Sequence, residues 1–130
     1  LFFNGRCDEA LAFYKKALGA KVGVLMRYKH SPEQTGVTPA MAELVMHAAF
    51  TIDGAPMMAS DGHGKGKLEF KGISLSLTCS DARQATRRFK ALAEGGNVIQ
   101  PLIETFFAKS FGMVTDRFGV TWMLMAGVKN

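Results

Sequence analysis

The sequence predicts an α+β domain made of two βαβββ modules, whose mixed curved sheets enclose a cleft. Two stretches have helical periodicity, and each is followed by three runs rich in β-forming residues. The two helix ends also read alike, with ALGAKV at residues 17–22 and AEGGNV at residues 93–98. A ferredoxin-like fold needs a helix near its last strand, whereas here three strands follow the second helix. We therefore expect one domain, residues 1–130, with modules at about residues 1–61 and 73–130.

The first module begins with the end of a strand at residues 1–4. Residues 7–18 place apolar side chains on one helical face, with acidic residues in the first turn and lysines near the end, as the helix dipole favours. Gly19 ends this helix. A long loop with Pro and Gly breakers follows the first of three further strands. We predict those strands at residues 21–29, 43–52 and 55–60.

A Gly-rich segment at residues 62–66 reads as a flexible link to the second module. Residues 73–79 alternate between apolar and polar side chains, which is typical of a strand with one covered face. Asp81 and Gln84 form a capping-box pattern at the start of the second helix, which Gly95-Gly96 ends. The remaining strands are predicted at residues 98–107, 111–115 and 120–125.

The composition bounds the class of protein. Of the 130 residues, 48% are hydrophobic, a fraction that excludes a disordered chain. The two cysteines do not suffice for a secreted disulfide framework, so we expect a reducing, cytoplasmic setting. We expect neither a leader peptide nor a membrane span. The net charge is +5, and much of the excess lies in the second helix at Arg83, Arg87, Arg88 and Lys90.

The two faces of the predicted sheets differ in character. In the strand at residues 43–52 we expect Met46, Ala48, Phe50 and Ile52 to face the helix and Val45, His47, Ala49 and Thr51 to face away. Ser74, Ser76 and Thr78 also lie on a face without a helix. Polar and small side chains on both second faces predict a cleft of mixed polarity, the usual character of a small-molecule site. The alternative is that these faces meet water or a partner subunit.

Three segments carry a family resemblance: residues 2–20, residues 47–61 (HAAFTIDGAPMMASD) and residues 104–123 (ETFFAKSFGMVTDRFGVTWM). They resemble the vicinal oxygen chelate, or glyoxalase/bleomycin-resistance, superfamily, and more closely its PhnB-like branch, described as 3-demethylubiquinone methyltransferase-like. The resemblance covers nearly the whole chain and implies the same paired βαβββ fold. It also implies a homodimer, because superfamily members complete their clefts by dimerising.

Superfamily enzymes hold a divalent metal with His and Glu side chains from both modules, and this sequence departs from that pattern. The positions that the resemblance assigns to ligands fall at Ser74 or Ser76, at Met123, and around Ala59 and Ser60. A further ligand would precede Leu1. Hydroxyl and thioether groups are poor donors for a hard or borderline cation. We therefore expect no metal in the inherited place and no cofactor.

The candidate ligand-binding residues follow from the faces and the resemblance. His47 is the best candidate for ligand contact or proton transfer, against the more ordinary role of a structural histidine. For three others a duller role is open: a surface ion pair for Arg27, an edge carboxylate for Glu104 and packing for Trp122. The pair Asp61 and His63 is read as a solvated turn and not as a metal site. The full set is Arg27, His47, Ser60, Asp61, Ser76, Thr78, Glu104 and Trp122.

Three functions remain open at this point. The first is a metal-independent protein that binds a small polar or aromatic metabolite, with or without catalysis. The second is a metal-dependent lyase, transferase or dioxygenase of the superfamily type. The third is a nucleic-acid or protein-interaction module that uses the basic second helix, with nucleic acid the less expected partner. No methyl-donor motif supports the methyltransferase description, because the GxGxG string at residues 62–66 is not followed by a helix.

Overall fold

The computed structural model describes residues 1–129. The chain divides into two compact units, Leu1–Leu68 and Glu69–Asn130, which we call the first and the second unit. Among the described residues, no helix is long and apolar enough to cross a membrane. The predicted single domain of residues 1–130 stays a prediction.

The first unit contains one helix and a small sheet. Helix α1 spans Cys7–Leu18, and strands β1 (Lys21–Arg27), β2 (Val45–Ile52) and β3 (Ala55–Ala59) pair antiparallel in the order β1-β2-β3. Beyond β3, Phe2 forms a parallel bridge with Ser60. This bridge stands where the first strand of the module was predicted.

The second unit repeats this arrangement with a longer first strand. It contains β4 (Leu75–Thr78), α2 (Ala82–Ala93), β5 (Asn97–Ile103), β6 (Ala108–Thr115) and β7 (Thr121–Val128). The sheet order is β4-β7-β6-β5, with β4 parallel to β7 and the other pairs antiparallel. In both units the first strand therefore lies beside the last, and the prediction of two βαβββ modules in an α+β fold is confirmed.

The helices begin and end for identifiable reasons. At α2, Asp81 accepts a hydrogen bond from the Gln84 N–H (2.8 Å) while the Gln84 side chain accepts one from the Ser80 N–H (2.8 Å), which confirms the capping box. Helix α1 ends at Gly19, whose left-handed backbone (φ 68°) favours glycine. Its N-cap residue, Arg6, makes no side-chain capping bond.

A buried carboxylate from elsewhere in the chain caps α1 instead. Asp61 follows β3 and is 1% exposed. Its Oδ1 accepts hydrogen bonds from the Gly5 and Cys7 N–H groups (2.8 Å each), and its Oδ2 accepts one from the Val45 N–H (2.9 Å). A negative charge at a helix N-terminus is stabilising, and hydrogen bonds to an ionised acceptor are the strong ones. Asp61 therefore joins the start of α1, the start of β2 and the end of β3.

A second buried carboxylate shapes the β6–β7 turn. Asp116 accepts hydrogen bonds from the Phe118 N–H (2.9 Å) and the Val120 N–H (3.1 Å) through Oδ1, and from the Trp122 indole N–H (2.9 Å) through Oδ2. On β6, Gly112 lets α2 approach closely, because a Cβ there would lie 2.7 Å from the Phe89 ring. These contacts pack the helix-facing side of the second sheet.

The predicted faces of β2 are partly wrong. Ala48, Phe50 and Ile52 are buried as expected. The β1–β2 register shifts after Met26, so that Arg27 pairs with Val45. Val45 is consequently fully buried, although it was predicted to face away from the helix, and Met46, predicted to face the helix, is half-exposed.

Several strand boundaries and one surface assignment also differ from prediction. The strand predicted at residues 98–107 ends at Ile103, because the Thr105 hydroxyl accepts hydrogen bonds from the Phe107 and Ala108 N–H groups and turns the chain. Strand β4 is shorter than the predicted residues 73–79. In α2, Arg88 is buried with Phe89, so the basic outer face is formed by Arg83, Arg87 and Lys90.

We predict that Asp61→Ala lowers the free energy of unfolding by about 3–5 kcal/mol, because three N–H groups lose their acceptor. Asp61→Asn should lose less, since an amide oxygen still accepts hydrogen bonds. Urea denaturation followed by far-UV circular dichroism measures both. The matched control is Asp53→Asn in the exposed β2–β3 turn, expected within about 0.5 kcal/mol of the parent protein. An Asp61→Ala protein as stable as this control would contradict the capping role.

Candidate functional site

A recess with a volume of about 1150 Å³ lies in the first unit. Its walls come from the chain around Phe2, the connection between β1 and β2, and the glycine loop, by which we mean residues 62–66. All three segments adjoin the elements that Asp61 joins. The recess therefore borders the segments that the hydrogen bonds of Asp61 hold together.

Hydrogen bonds hold the glycine loop against its neighbours, and its role as a flexible link between the modules stays a prediction. The Gly62 N–H donates to the Ser60 hydroxyl oxygen (2.9 Å), and the Gly64 N–H donates to the Asp61 carbonyl (2.9 Å). The Tyr28 hydroxyl donates to the Gly62 carbonyl (2.6 Å). Gly64 also packs so closely on Leu44 that an added Cβ would lie 2.5 Å from its Cδ1. These contacts fix the loop as a wall of the recess.

The lining of the recess has mixed polarity. Its only charged or titratable side chains, apart from the Tyr28 phenol, are His63 and Lys65, both exposed. Hydroxyl and amide groups come from Asn4, Tyr28, Thr38 and Ser60, and apolar surface comes from Phe2, Met41, Leu44 and Met46. An apolar surface with a few polar groups is typical of sites for small organic molecules.

A smaller recess of about 290 Å³ adjoins the first and contains His47. The two recesses share Phe2, Met46 and Ser60 in their linings. Of the eight predicted site residues, the structure therefore brings His47 and Ser60 to this region. Their contact with a ligand stays a prediction.

Two other candidates of the first unit are engaged in internal bonds. Arg27 forms a two-pronged ion pair with Asp8 (2.8 and 2.9 Å) and donates to the Glu43 carbonyl (2.8 Å). The hydrogen bond with Asp8 raises the pKa of Arg27 further above its ordinary value. Asp61 is buried against three N–H groups, as described above. For Arg27 the ion pair is the role that the structure shows, and for Asp61 it is helix capping.

The four candidates of the second unit do not share one surface. Ser76 and Thr78 are exposed on β4, whereas Trp122 pairs with Leu75 on the opposite face and is 1% exposed. Trp122 therefore packs in the core and does not share the face of Ser76. Glu104 forms an ion pair with Lys129 (2.6 Å), and this hydrogen bond lowers the pKa of Glu104. The cleft predicted between the modules stays a prediction.

The side chains at the positions that the resemblance assigns to metal ligands show whether a divalent metal fits there. The parallel register of β4 and β7 pairs Ser76 with Met123, the two places that the resemblance assigns to a His and a Glu ligand. A hydroxyl and a thioether do not fit a hard or borderline divalent cation. Within residues 1–129, no group of three or more His, Cys, Asp or Glu side chains is arranged to hold a metal.

A cysteine nucleophile is also disfavoured in this structure. Cys7 is fully buried at the start of α1. Burial, together with the negative charges of Asp61 and Asp8, raises the pKa of the Cys7 thiol to about 12. The thiolate is the reactive form, so Cys7 is inert at neutral pH.

Sequence reasoning missed Tyr28, His63 and Lys65 as parts of the 1150 Å³ recess. Tyr28 lies just beyond β1, where a strand pattern gives no hint of a site. A signal for the other two existed in the GxGxG string, which places them between glycines. The string does not match the phosphate loop of nucleotide-binding folds, because that motif requires a following helix, so it did not indicate a site.

Comparisons with known proteins agree with this fold. The family model described as 3-demethylubiquinone-9 3-methyltransferase matches residues 1–125. Protein PA1353 from Pseudomonas aeruginosa is 42% identical, with a TM-score of 0.85 over 98% of this chain and 93% of that one. A Bacillus cereus protein described as a putative 3-demethylubiquinone-9 3-methyltransferase, PhnB protein, is 29% identical, with a TM-score of 0.81 over 98% and 95% of the two chains.

One relative and one more distant structure complete the comparison. Protein YjdN of Escherichia coli (strain K12) is 33% identical over 132 residues, covering 95% of this chain and 90% of YjdN. A glyoxylase/bleomycin resistance protein/dioxygenase domain from Frankia is 20% identical with a TM-score of 0.68, over 92% of this chain and 87% of that one, and supports the fold alone. The chain belongs to the family described as 3-demethylubiquinone-9 3-methyltransferase.

Proposed function

We propose that the recess of the first unit binds a small polar or aromatic molecule and does so without a divalent metal. The observation that carries this proposal is the lining of the recess. A volume of about 1150 Å³ bounded by ordered chain, with apolar surface and a few polar groups, suits a small organic ligand. The Ser76–Met123 pair supports the second half of the proposal, because its donors do not suit the metal that related enzymes use.

Binding in this recess relies on two kinds of contact. Phe2, Met41, Leu44 and Met46 supply apolar surface, and the flexible thioethers adapt to different ligand shapes. The hydroxyl oxygens of Tyr28 and Ser60 retain lone pairs for a ligand donor besides the bonds that they make to the glycine loop. Polar groups placed by such bonds are preorganised, which lowers the entropic cost of binding.

We do not assign a methyl transfer, although the family description names one. A methyl-donor site usually needs a glycine-rich loop between a strand and a helix of a parallel sheet. The glycine loop instead follows the antiparallel strand β3, and the next regular element is β4. His47, in the adjoining recess, is our candidate for proton transfer to or from the bound molecule.

The proposal is tested by screening metabolites for a thermal shift and measuring hits by calorimetry. Ala40 lies in the recess lining, so Ala40→Trp should obstruct it and weaken a hit about tenfold or more. Ala12→Trp places the same side chain on the exposed face of α1, outside the recess, and should leave affinity unchanged. Equal affinities in the two variants would rule out this recess as the binding site.

The same titration, repeated with EDTA and with added Mn²⁺, tests the metal-independent part. We expect affinity to be unchanged in all three conditions, because Ser76 and Met123 offer no suitable donors. Loss of binding or of turnover on chelation would favour a metal-dependent enzyme of the superfamily type.

We further propose that the chain forms a homodimer in the cytoplasm. The edge strands β1 and β5 carry exposed apolar side chains, including Val24 (66% exposed) and Ile99 (51% exposed), and such edges favour association. Sedimentation equilibrium at micromolar concentration should give the mass of a dimer. A monodisperse monomer would contradict this part of the proposal.

A further inference from the structure

We infer that the ligand of the recess is a small organic oxyanion, a carboxylate or a phosphate ester with an apolar body, whose charged group contacts the glycine loop. This inference rests on the proposed function and adds the chemical class of the ligand. It depends on the backbone of the glycine loop, the charges around the recess and the apolar wall opposite.

The backbone of the glycine loop alternates in handedness. Gly62, Gly64 and Gly66 have positive φ angles of 56°, 70° and 92°, and the intervening His63 and Lys65 do not. Unbonded N–H groups in a glycine turn of this kind bind anions, although the central N–H, that of Gly64, already donates to the Asp61 carbonyl (2.9 Å). Within residues 1–129, the backbone N–H groups of His63 and Lys65 donate no hydrogen bond, so both are available to an anion.

The charges around the recess favour an anion as well. The lining contains the basic side chains of His63 and Lys65 and no carboxylate. In the described part of the chain, the Lys65 ammonium group makes no ion pair.

Three acidic groups of the first unit are engaged in ion pairs or hydrogen bonds. Glu43 pairs with Lys29 (2.7 Å), which lowers the pKa of Glu43. Asp8 pairs with Arg27 (2.8 Å), and the Asp61 carboxylate is buried against three N–H groups. An anionic ligand would therefore meet little opposing charge in the recess.

The apolar residues of the recess lining indicate the chemical nature of the uncharged part of the ligand. Phe2 is 64% exposed and borders the recess together with Met41 and Met46. An exposed aromatic ring and two thioethers favour an aliphatic or aromatic body over a second charged group. Inorganic phosphate alone would leave these contacts unused.

The test compares charged and neutral probes by calorimetry on the full chain at low ionic strength. The probes are phenyl phosphate, benzoate, benzyl alcohol and inorganic phosphate. We expect phenyl phosphate, benzoate or both to bind about tenfold more tightly than benzyl alcohol, with a difference that shrinks in high salt. Comparison of the first two probes shows whether a phosphate or a carboxylate is preferred.

Lys65→Gln and Lys67→Gln form a matched pair of variants, because Lys67 is exposed and lies outside the recess lining. Lys65→Gln should weaken the anionic probes about tenfold and leave benzyl alcohol unchanged, whereas Lys67→Gln should change neither. Equal losses in the two variants, or benzyl alcohol binding as tightly as the anions, would overturn the inference.

The outcomes also separate this inference from the function on which it rests. If neutral metabolites bind and are blocked by Ala40→Trp while no anionic probe binds at millimolar concentration, the anion inference fails and the proposed function stands. If no compound shows binding that Ala40→Trp blocks, both fail.

Discussion

The first unit depends on the carboxylate of Asp61. Asp61 caps α1, whose N-cap residue Arg6 makes no side-chain capping bond. From its position after β3, Asp61 also accepts a hydrogen bond from the N–H of Val45, the first residue of β2. A buried carboxylate is stable only when its charge is met by donors, and three backbone N–H groups meet it here. Because the glycine loop begins at the next residue, the same contacts determine where the wall of the recess lies. The anchor of the fold is therefore also the support of the candidate site.

This arrangement gives the two units different characters. In the first, a buried carboxylate leads into a polar loop beside a large recess, and that loop contributes His63 and Lys65 to the lining. In the second, Asp116 is used within the β6–β7 turn and fixes the Trp122 ring in the core. The Ser76–Met123 pair places a hydroxyl beside a thioether at the positions that the resemblance assigns to metal ligands. The two units thus share the βαβββ arrangement but differ in use. The candidate binding site lies in the first unit. The second unit has a hydroxyl and a thioether at the positions assigned to metal ligands.

Sequence patterns predicted the architecture because repeated periodicity and glycine stops are local signals. They failed where a contact spans the chain or shifts a register. Asp61 caps a helix 54 residues away, a partner that no local motif reveals. The Met26/Arg27 register shift exchanged the faces of Val45 and Met46. For Trp122 and Arg27 the sequence left packing and a surface ion pair open beside ligand contact, and the structure shows the Trp122 indole bound to Asp116 and Arg27 paired with Asp8. Among the predicted site residues, only His47 and Ser60 line the recesses.

We place the proposed ligand site in the first unit, beside the glycine loop that follows Asp61. The most direct measurement is amide chemical-shift mapping, by ¹⁵N–¹H spectra, of the tightest compound found by screening. We expect the largest chemical-shift changes at the amides of His63 and Lys65, with smaller changes at those of Tyr28 and Leu44. Shifts confined to Ser76, Met123 and their neighbours on the second sheet would contradict this placement.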